Sequence, residues 1–163
     1  MQTIKQKIQL KNILFSEDPI MGKPSVIAYE KKFRWSWMAT QMNTFIVTSD
    51  FGDEKLTTKV LESHLAESFK YASKHYNGWP RGLQSGVAVI SILISSDIDE
   101  EAKDYCLGLK SGKKWAGIAI PVVIDAKDGT VYSFKRDPMW GKIYFPYFRK
   151  LIAELCIQKE QTS

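Results

Sequence analysis

Apolar and polar positions alternate along residues 26–51 in a way that predicts extended structure. In the stretch FRWSWMATQMNTFIV, Trp35, Trp37 and other apolar residues share one parity, and the threonines fall mainly on the other. A period of two is typical of a half-buried β-strand. Because the run is too long for one flat strand, we expect a bend or hairpin near residues 31–34.

The clearest helical pattern lies in the stretch DEKLTTKVLESHLAESFKYASKHYNG, residues 53–78. Its leucines, valine and phenylalanine recur at helical spacing on one face. Asp53 at the start suits the positive end of the helix macrodipole. At the other end, Asn77 and Gly78 predict a left-handed C-cap, and Pro80 prevents the helix from continuing.

Two apolar runs flank a second helical pattern and predict the centre of a sheet. Residues 87–94 are apolar on both parities except for Ser91, as expected of a strand that is covered on both faces. Residues 115–124 form the second run, in which Pro121 indicates a bulge or a sheet edge. Residues 98–110 are predicted to be helical. If the two strands are parallel, the three elements form a right-handed βαβ unit.

The remaining elements complete an α+β fold, a mixed α/β sandwich. A turn at Asp128-Gly129 leads into TVYSFKR as an antiparallel strand, and Pro146 opens a last amphipathic helix. The predicted order is β-β-α-β-α-β-β-α, with about five strands in one mixed sheet and three helices. The 163 residues suit a single domain. We expect residues 1–24 to be a partly flexible N-terminal extension and residues 158–163 to be a flexible tail.

Composition indicates a globular protein without a membrane span. Apolar residues make up 44% of the chain and aromatic residues 12%, and no apolar run approaches the roughly 18 residues that a spanning helix needs. The basic N-terminus has no unbroken apolar region and no cleavage site of a secretory signal. Cys106 and Cys156 fall on apolar helix faces and are predicted to be buried, reduced thiols. We therefore expect a cytoplasmic protein and no cofactor.

The net charge of +5 is distributed unevenly along the chain. Residues 1–35 carry seven bases and three acids, residues 36–109 six bases and ten acids, and residues 110–150 nine bases and three acids. Such a division suggests either a surface that faces a polyanion or self-association through complementary charges. Two ordinarily solvated faces explain it more simply, and we favour that interpretation.

The stretch WPRGLQ, residues 79–84, is the first candidate site. Arg81 offers a planar fork of hydrogen-bond donors and Trp79 a stacking surface, so that the loop suits an anion, a base or a partner's side chain. The simpler interpretation is that the loop only ends the helix and closes the core. Arg81 and Gln84 are the residues that helix termination explains least.

Acidic residues follow both central strands and form a second candidate. Asp97 and Asp125 fall at the carboxyl ends of the two strands, where ligands of parallel sheets bind. Together with Lys127 they would suit Mg²⁺ and a hydrolase or nuclease reaction. In the simpler interpretation Asp97 precedes a helix and Asp125 precedes a hairpin turn, and we favour this one. The metal assignment is therefore none, with Asp97 and Asp125 as weak candidates.

Basic and aromatic residues are interleaved in KSGKKW, residues 110–115, and in FKRDPMWGKIYFPYFRK, residues 134–150. Arg136 and Trp140 in this region can bind single-stranded nucleic acid through phosphate contacts and stacking. The same residue types are enriched at protein interfaces. Core aromatic residues beside solvated lysines are the third interpretation.

Familiar catalytic and metal-binding patterns are absent from the sequence: CxxC, HExxH, GxSxG, GxxxxGK[ST] and GxGxxG do not occur. Whether the protein is an enzyme therefore stays undecided. The leading hypothesis is a non-catalytic interaction domain that self-associates or binds a protein partner. Its contact surface would combine the WPRG and DPMWGK loops and includes the following residues: Trp79, Arg81, Gln84, Arg136 and Trp140. The alternatives are a Mg²⁺-dependent hydrolase or nuclease and a nucleic-acid-associated protein.

Overall fold

A mixed β-sheet with helices on both faces forms the centre of the protein. The computed structural model describes residues 3–79, 85–109, 117–138 and 141–157. Its strands are β1 (Leu14–Ser16), β2 (Pro19–Ile20), β3 (Lys23–Arg34), β4 (Thr40–Asp50), β5 (Ser85–Ser95), β6 (Ile118–Asp125) and β7 (Val131–Tyr132). Its helices are α1 (Ile4–Leu10), α2 (Thr58–His75), α3 (Glu100–Gly108) and α4 (Phe145–Cys156).

The sheet has the strand order β1-β3-β4-β5-β6-β7, and β2 pairs with the start of β3. The pairs β4–β5 and β5–β6 are parallel, and the other pairs are antiparallel. This confirms the predicted α+β class and the parallel central strands. The described residues contain seven strands and four helices rather than about five and three. The additional elements α1, β1 and β2 all lie within residues 1–24, where they are too short to give a periodic pattern.

Both parallel crossovers move in the same direction across the sheet. Right-handed connections therefore place α2 and α3 on the same face, where α2 packs on odd-numbered residues such as Phe45 and Val89. Helices α1 and α4 cover the other face, where even-numbered residues such as Ile46 and Ile90 belong to the same hydrophobic core cluster as Phe148. The central strands are buried on both faces, as the apolar run at residues 87–94 predicts.

The turn between β3 and β4 lies later in the chain than the predicted residues 31–34. A 3-10 turn occupies Trp35–Trp37, and Met38 and Ala39 follow with left-handed backbone angles. Trp35 and Trp37 therefore do not share one face of a strand, and that prediction is wrong. Trp35 is exposed and Trp37 is buried. The sequence does not predict this turn, because the alternating pattern continues through it and no Asn-Gly or Asp-Gly marks it.

Helix α2 starts and ends differently from the sequence prediction. Thr57 is its N-cap, and the threonine hydroxyl accepts a hydrogen bond from the Val60 amide at 3.3 Å; Asp53 therefore lies before the helix. At the other end the C-cap is Tyr76, with an extended ψ angle of 126°, and Gly78 does not have a positive φ. The predicted left-handed C-cap at Asn77 and Gly78 is wrong.

Several smaller predictions are confirmed. Strand β7 pairs only with Val123 and Ile124, so that within the described residues Pro121 has no strand partner on that side, as expected at a sheet edge. Cys106 and Cys156 are both buried and free. None of the helices in the described ranges is long and apolar enough to cross a membrane.

Candidate interaction surface

Four apolar side chains are exposed together where β3 turns into β4. The exposed fractions are 81% for Trp35, 79% for Met38, 44% for Trp79 and 38% for Phe33. The ring centroids of Phe33 and Trp35 are 5.2 Å apart, and those of Phe33 and Trp79 are 5.7 Å apart. We call these four residues the apolar tip. Large apolar side chains that are exposed side by side are a feature of binding surfaces.

Trp37 fixes the tip to the helical layer on the α4 side. Its side chain is 2% exposed, and its ring centroid lies 5.1 Å from that of Tyr147 and 5.5 Å from that of Tyr144. The guanidinium carbon of Arg34 lies 4.8 Å from the Trp37 ring centroid, a cation–π contact. These contacts on the α4 side therefore hold the turn in place, while the side chains of Trp35 and Met38 remain exposed to solvent.

Tyr147 also holds a carboxylate of the strand that leads to the tip. Its hydroxyl donates a hydrogen bond to Glu30. Burial raises the pKa of Tyr147 above its ordinary value, and the Glu30 hydrogen bond raises it further. The phenol therefore stays protonated, and Glu30 is already engaged by a neutral donor.

The backbone of the tip is held in an uncommon conformation. Met38 has a φ of 55° and Ala39 a φ of 57°, values that cost a residue with a side chain about 1–2 kcal/mol relative to right-handed backbone. Glycine avoids this cost. The chain nevertheless places a large apolar residue at position 38 and leaves it exposed.

A buried asparagine positions the chain that carries Trp79. The side chain of Asn43 is fully buried, accepts a hydrogen bond from the Tyr29 hydroxyl at 2.8 Å and donates to the Gly86 carbonyl at 3.2 Å. Gly78 lies directly against it, because a Cβ atom at position 78 would come within 2.5 Å of the Asn43 Oδ1 atom. A glycine is thus required here for close approach and not for a helix cap.

Two further hydrogen bonds hold the same segment on the hairpin. The Trp79 amide donates to Gln41 Oε1 at 3.1 Å, and Lys31 Nζ donates to the Asn77 carbonyl at 2.9 Å. Gln41 lies opposite Phe33 in the β3–β4 register. Trp79 is therefore placed beside Phe33 by contacts of its own backbone.

Of the residues predicted for the contact surface, the structure places Trp79 in the apolar tip. Arg136 is exposed in the segment after β7. Arg81, Gln84 and Trp140 lie outside the described residues, as do the KSGKKW segment and the tail. The turn Lys142–Tyr144 after the DPMWGK loop packs against Trp35–Trp37, so that described residues next to both nominated loops flank the tip.

Sequence reasoning missed Phe33, Trp35 and Met38 as exposed residues. It assigned the first two to a half-buried strand face, because parity alone does not show where a strand ends. The available signal was the crowding of WSWM between two strand patterns, since a turn that carries two tryptophans and a methionine is unusual in composition.

The acidic candidates lie at the opposite end of the sheet. Asp125 Oδ1 accepts the Lys127 amide at 2.9 Å within a tight turn, and the Asp97 carbonyl accepts the Leu56 amide at 2.8 Å. Among the described residues no group of three or more histidines, cysteines or carboxylates is arranged to hold a metal ion. Strand order also does not reverse between β4, β5 and β6, so this end lacks the crevice in which such sheets bind ligands.

His64 belongs to a closed polar network between α2 and the sheet. Its Nε2 atom lies 2.7 Å from Ser49 Oγ and its Nδ1 atom 2.7 Å from Ser91 Oγ. Burial lowers the pKa of His64 from 6.5 to about 4. All three side chains are fully buried, so that no substrate can reach them. The network explains why a serine interrupts the apolar run of β5.

A shallow groove of about 380 Å³ lies between β2 and α2. Tyr71 in its wall donates a hydrogen bond of 2.5 Å to Asp18 and shares one of 2.8 Å with Ser16. His75 stacks on Tyr71 with the ring centroids 4.0 Å apart, and its Nδ1 atom donates a hydrogen bond to the Tyr71 carbonyl. These groups largely bond one another, which favours a structural role.

The apolar tip thus differs from the other features, because it is both exposed and firmly supported. The polar clusters around His64 and Asp125 are internally bonded. No protein-family model matches the chain, and no curated protein or solved structure shows significant similarity to it.

Proposed function

We propose that the protein is a non-catalytic interaction module that binds a protein partner through the apolar tip. The observation that carries the proposal is the exposure of Trp35 and Met38 on a turn whose other side is anchored by buried Trp37. Folding alone gives no reason to keep these two side chains in water. Binding supplies one.

The residue types of the tip suit a protein interface. Tryptophan, methionine and arginine are enriched at such interfaces, and tryptophan and arginine dominate their binding energy. Burial of Trp35 removes on the order of 150 Å² from water, a gross gain of about 4 kcal/mol before the entropy of association is counted. Phe33 and Trp79 extend the same surface.

Nucleic acid is the alternative ligand, because aromatic rings beside Lys31 and Arg34 can also stack on bases. The net charge of +5 is modest for that role. Both ligands use the same side chains, but only nucleic-acid binding falls steeply with salt, since phosphate contacts release counterions.

Partner retention by immobilised protein tests the proposal. Wild-type protein is expected to retain a defined partner, or a second copy of itself, from an extract of its source organism at moderate salt. Trp35→Ala is expected to lose most of this retention while its free energy of unfolding changes by less than about 1 kcal/mol, because the side chain is largely exposed.

Lys59→Glu is the matched control, since Lys59 is an exposed residue of the first turn of α2, at the other end of the sheet. It should retain the partner as the wild type does. Equal retention by Trp35→Ala and wild type would contradict the proposal. So would a retained ligand that proves to be single-stranded nucleic acid with a steep dependence on salt.

A further inference from the structure

The last five residues of strand β3, residues 30–34, have a free edge among the described residues. Ten of its residues pair with β4. On its other side β1 and β2 pair with β3 only as far as Ala28, and the last contact is the hydrogen bond from the Tyr29 amide to the Ile13 carbonyl at 2.9 Å. Within the described part of the chain no strand lies beside residues 30–34 on this side.

The direction of that last hydrogen bond fixes which backbone groups face the free edge. Successive residues of a strand alternate in the side to which their amide and carbonyl groups point. Because the Tyr29 amide points away from β4, the amides and carbonyls of Lys31 and Phe33 do so too. The free edge therefore presents two donors and two acceptors in line.

The side chains beside this edge differ between the two faces of the sheet. On the α2 face Phe33 lies against Trp79, next to Lys31. On the α4 face Lys32 and Arg34 lie over the ring of Tyr147, at 5.3 and 5.8 Å from its centroid. One face of the edge is thus mainly apolar, and the other is cationic.

We infer that residues 30–34 of β3 take up an extended acidic segment of the partner protein as an additional strand. Side chains of paired strands lie on the same face, so acidic residues of the segment lie beside Lys32 and Arg34. Its apolar residues alternate with them and lie on the α2 face, beside Phe33. Backbone hydrogen bonds to Lys31 and Phe33 supply the part of the binding affinity that does not depend on the side chains of the segment. This inference rests on the proposed function, whose partner it specifies.

Charge complementarity favours such a segment over a second copy of this chain. Residues 30–34 carry three cations and one acid, and that acid, Glu30, already accepts the Tyr147 hydroxyl. Antiparallel pairing of two copies about Lys32 would place the two Lys32 side chains opposite each other, which is unfavourable. Lysines on an edge strand discourage self-pairing in this way.

A capped synthetic peptide of seven alternating residues, Glu-Val-Glu-Val-Glu-Val-Glu, is the probe. Its binding to the full-length protein is measured by titration calorimetry. A peptide of the same composition with the order Glu-Glu-Val-Val-Glu-Glu-Val is expected to bind roughly tenfold more weakly, because it cannot match both faces of the edge. Equal binding of the two peptides would overturn the inference.

N-methylation of the peptide tests the backbone contacts. Antiparallel addition bonds the valine amides to the edge, and parallel addition bonds the glutamate amides. Methylating one of these two sets is expected to weaken binding roughly tenfold or more, while methylating the other set leaves it nearly unchanged. An equal effect of both sets, or no effect of either, would show that no strand is added.

Lys32→Glu tests the cationic face of the edge and is expected to weaken peptide binding at least tenfold, whereas Lys59→Glu is expected to bind as the wild type does. If Lys32→Glu leaves peptide binding unchanged while Trp35→Ala still loses the cellular partner, strand addition is wrong and the proposed function stands. If Trp35→Ala keeps the partner as well, both are wrong. Dimerisation of wild-type protein that Lys32→Glu abolishes, or oligothymidylate binding in place of peptide binding, also overturns the inference.

Discussion

The rings of Phe33 and Trp79 lie with their centroids 5.7 Å apart, although one belongs to β3 and the other follows α2. The contact exists because α2 runs back along the sheet and returns the chain to the hairpin end, where Gly78 fits against Asn43. Trp79 is a candidate that the sequence predicts, whereas Phe33 is a neighbour that the sequence does not identify as part of the surface.

Met38→Gly should separate folding from binding. Glycine removes the cost of the left-handed backbone angles at position 38, but it also gives the unfolded chain more conformational freedom. Because the two effects oppose each other, the free energy of unfolding should change by less than about 1 kcal/mol. Partner retention should fall, because an exposed apolar side chain is lost. Denaturant unfolding and the retention assay check the two parts. A variant that retains the partner as the wild type does would show that Met38 is not part of the contact.

Gly78→Ala should destabilise the protein and displace Trp79. The new methyl group would come within 2.5 Å of Asn43 Oδ1, and overpacking of this kind typically costs about 1–3 kcal/mol. Asn77→Ala is the neighbouring control, since the hydrogen bonds to residue 77 use its backbone. It should unfold within about 0.5 kcal/mol of the wild type. Equal stability of the two variants would mean that the close approach is relieved without cost.

The stability of the protein should fall as the pH is lowered from 6.5 towards 4. The folded-state pKa of His64 is about 4, against an ordinary value of 6.5, so that in this window the unfolded chain binds a proton that the folded protein does not. Unfolding therefore becomes easier by up to about 3 kcal/mol at the acid end. His64→Gln should flatten the slope between pH 6.5 and 4, measured by denaturant titration.

His75→Gln is the control for that experiment, because it leaves His64 and its three serine partners, Ser49, Ser68 and Ser91, in place. Its slope should follow that of the wild type. An unchanged slope in His64→Gln would mean that the closed network does not hold a neutral histidine.

Both cysteines should be inert in the folded protein. Burial raises the pKa values of Cys106 and Cys156 to about 12, which keeps both thiols protonated near neutral pH and shields them from reagents. A colorimetric thiol reagent should therefore titrate both only after denaturation. Rapid modification of either thiol in native protein would contradict the burial of that site.

The sequence predicts the centre of the fold better than its edges. Residues 87–94 are apolar on both parities, which indicates a strand that is covered twice, and Pro121 marks an edge. Both predictions rest on local composition. Strands β1 and β2 consist of three and two residues, and their formation depends on pairing with β3, which no local pattern records.

The candidate surface was predictable only in part, for a similar reason. Trp79 stands out because it follows a helix end and precedes a proline. Trp35 and Met38 continue an alternating pattern, and only the left-handed backbone of Met38 and Ala39 turns them into the tip. Ser91 stands out in the sequence as a polar residue within an apolar strand, but its hydrogen-bond partner His64 lies on another element, α2, and cannot be predicted from the local pattern.

Site-specific photo-cross-linking at the apolar tip tests the central claim most directly. A photoreactive phenylalanine derivative replaces Trp35 in one variant and Lys59 in another, and both are irradiated in an extract of the source organism. We expect a discrete protein adduct from position 35 and none from position 59. Adducts of equal yield from both positions, or none from position 35 in a variant that is folded, would contradict an interaction through the tip.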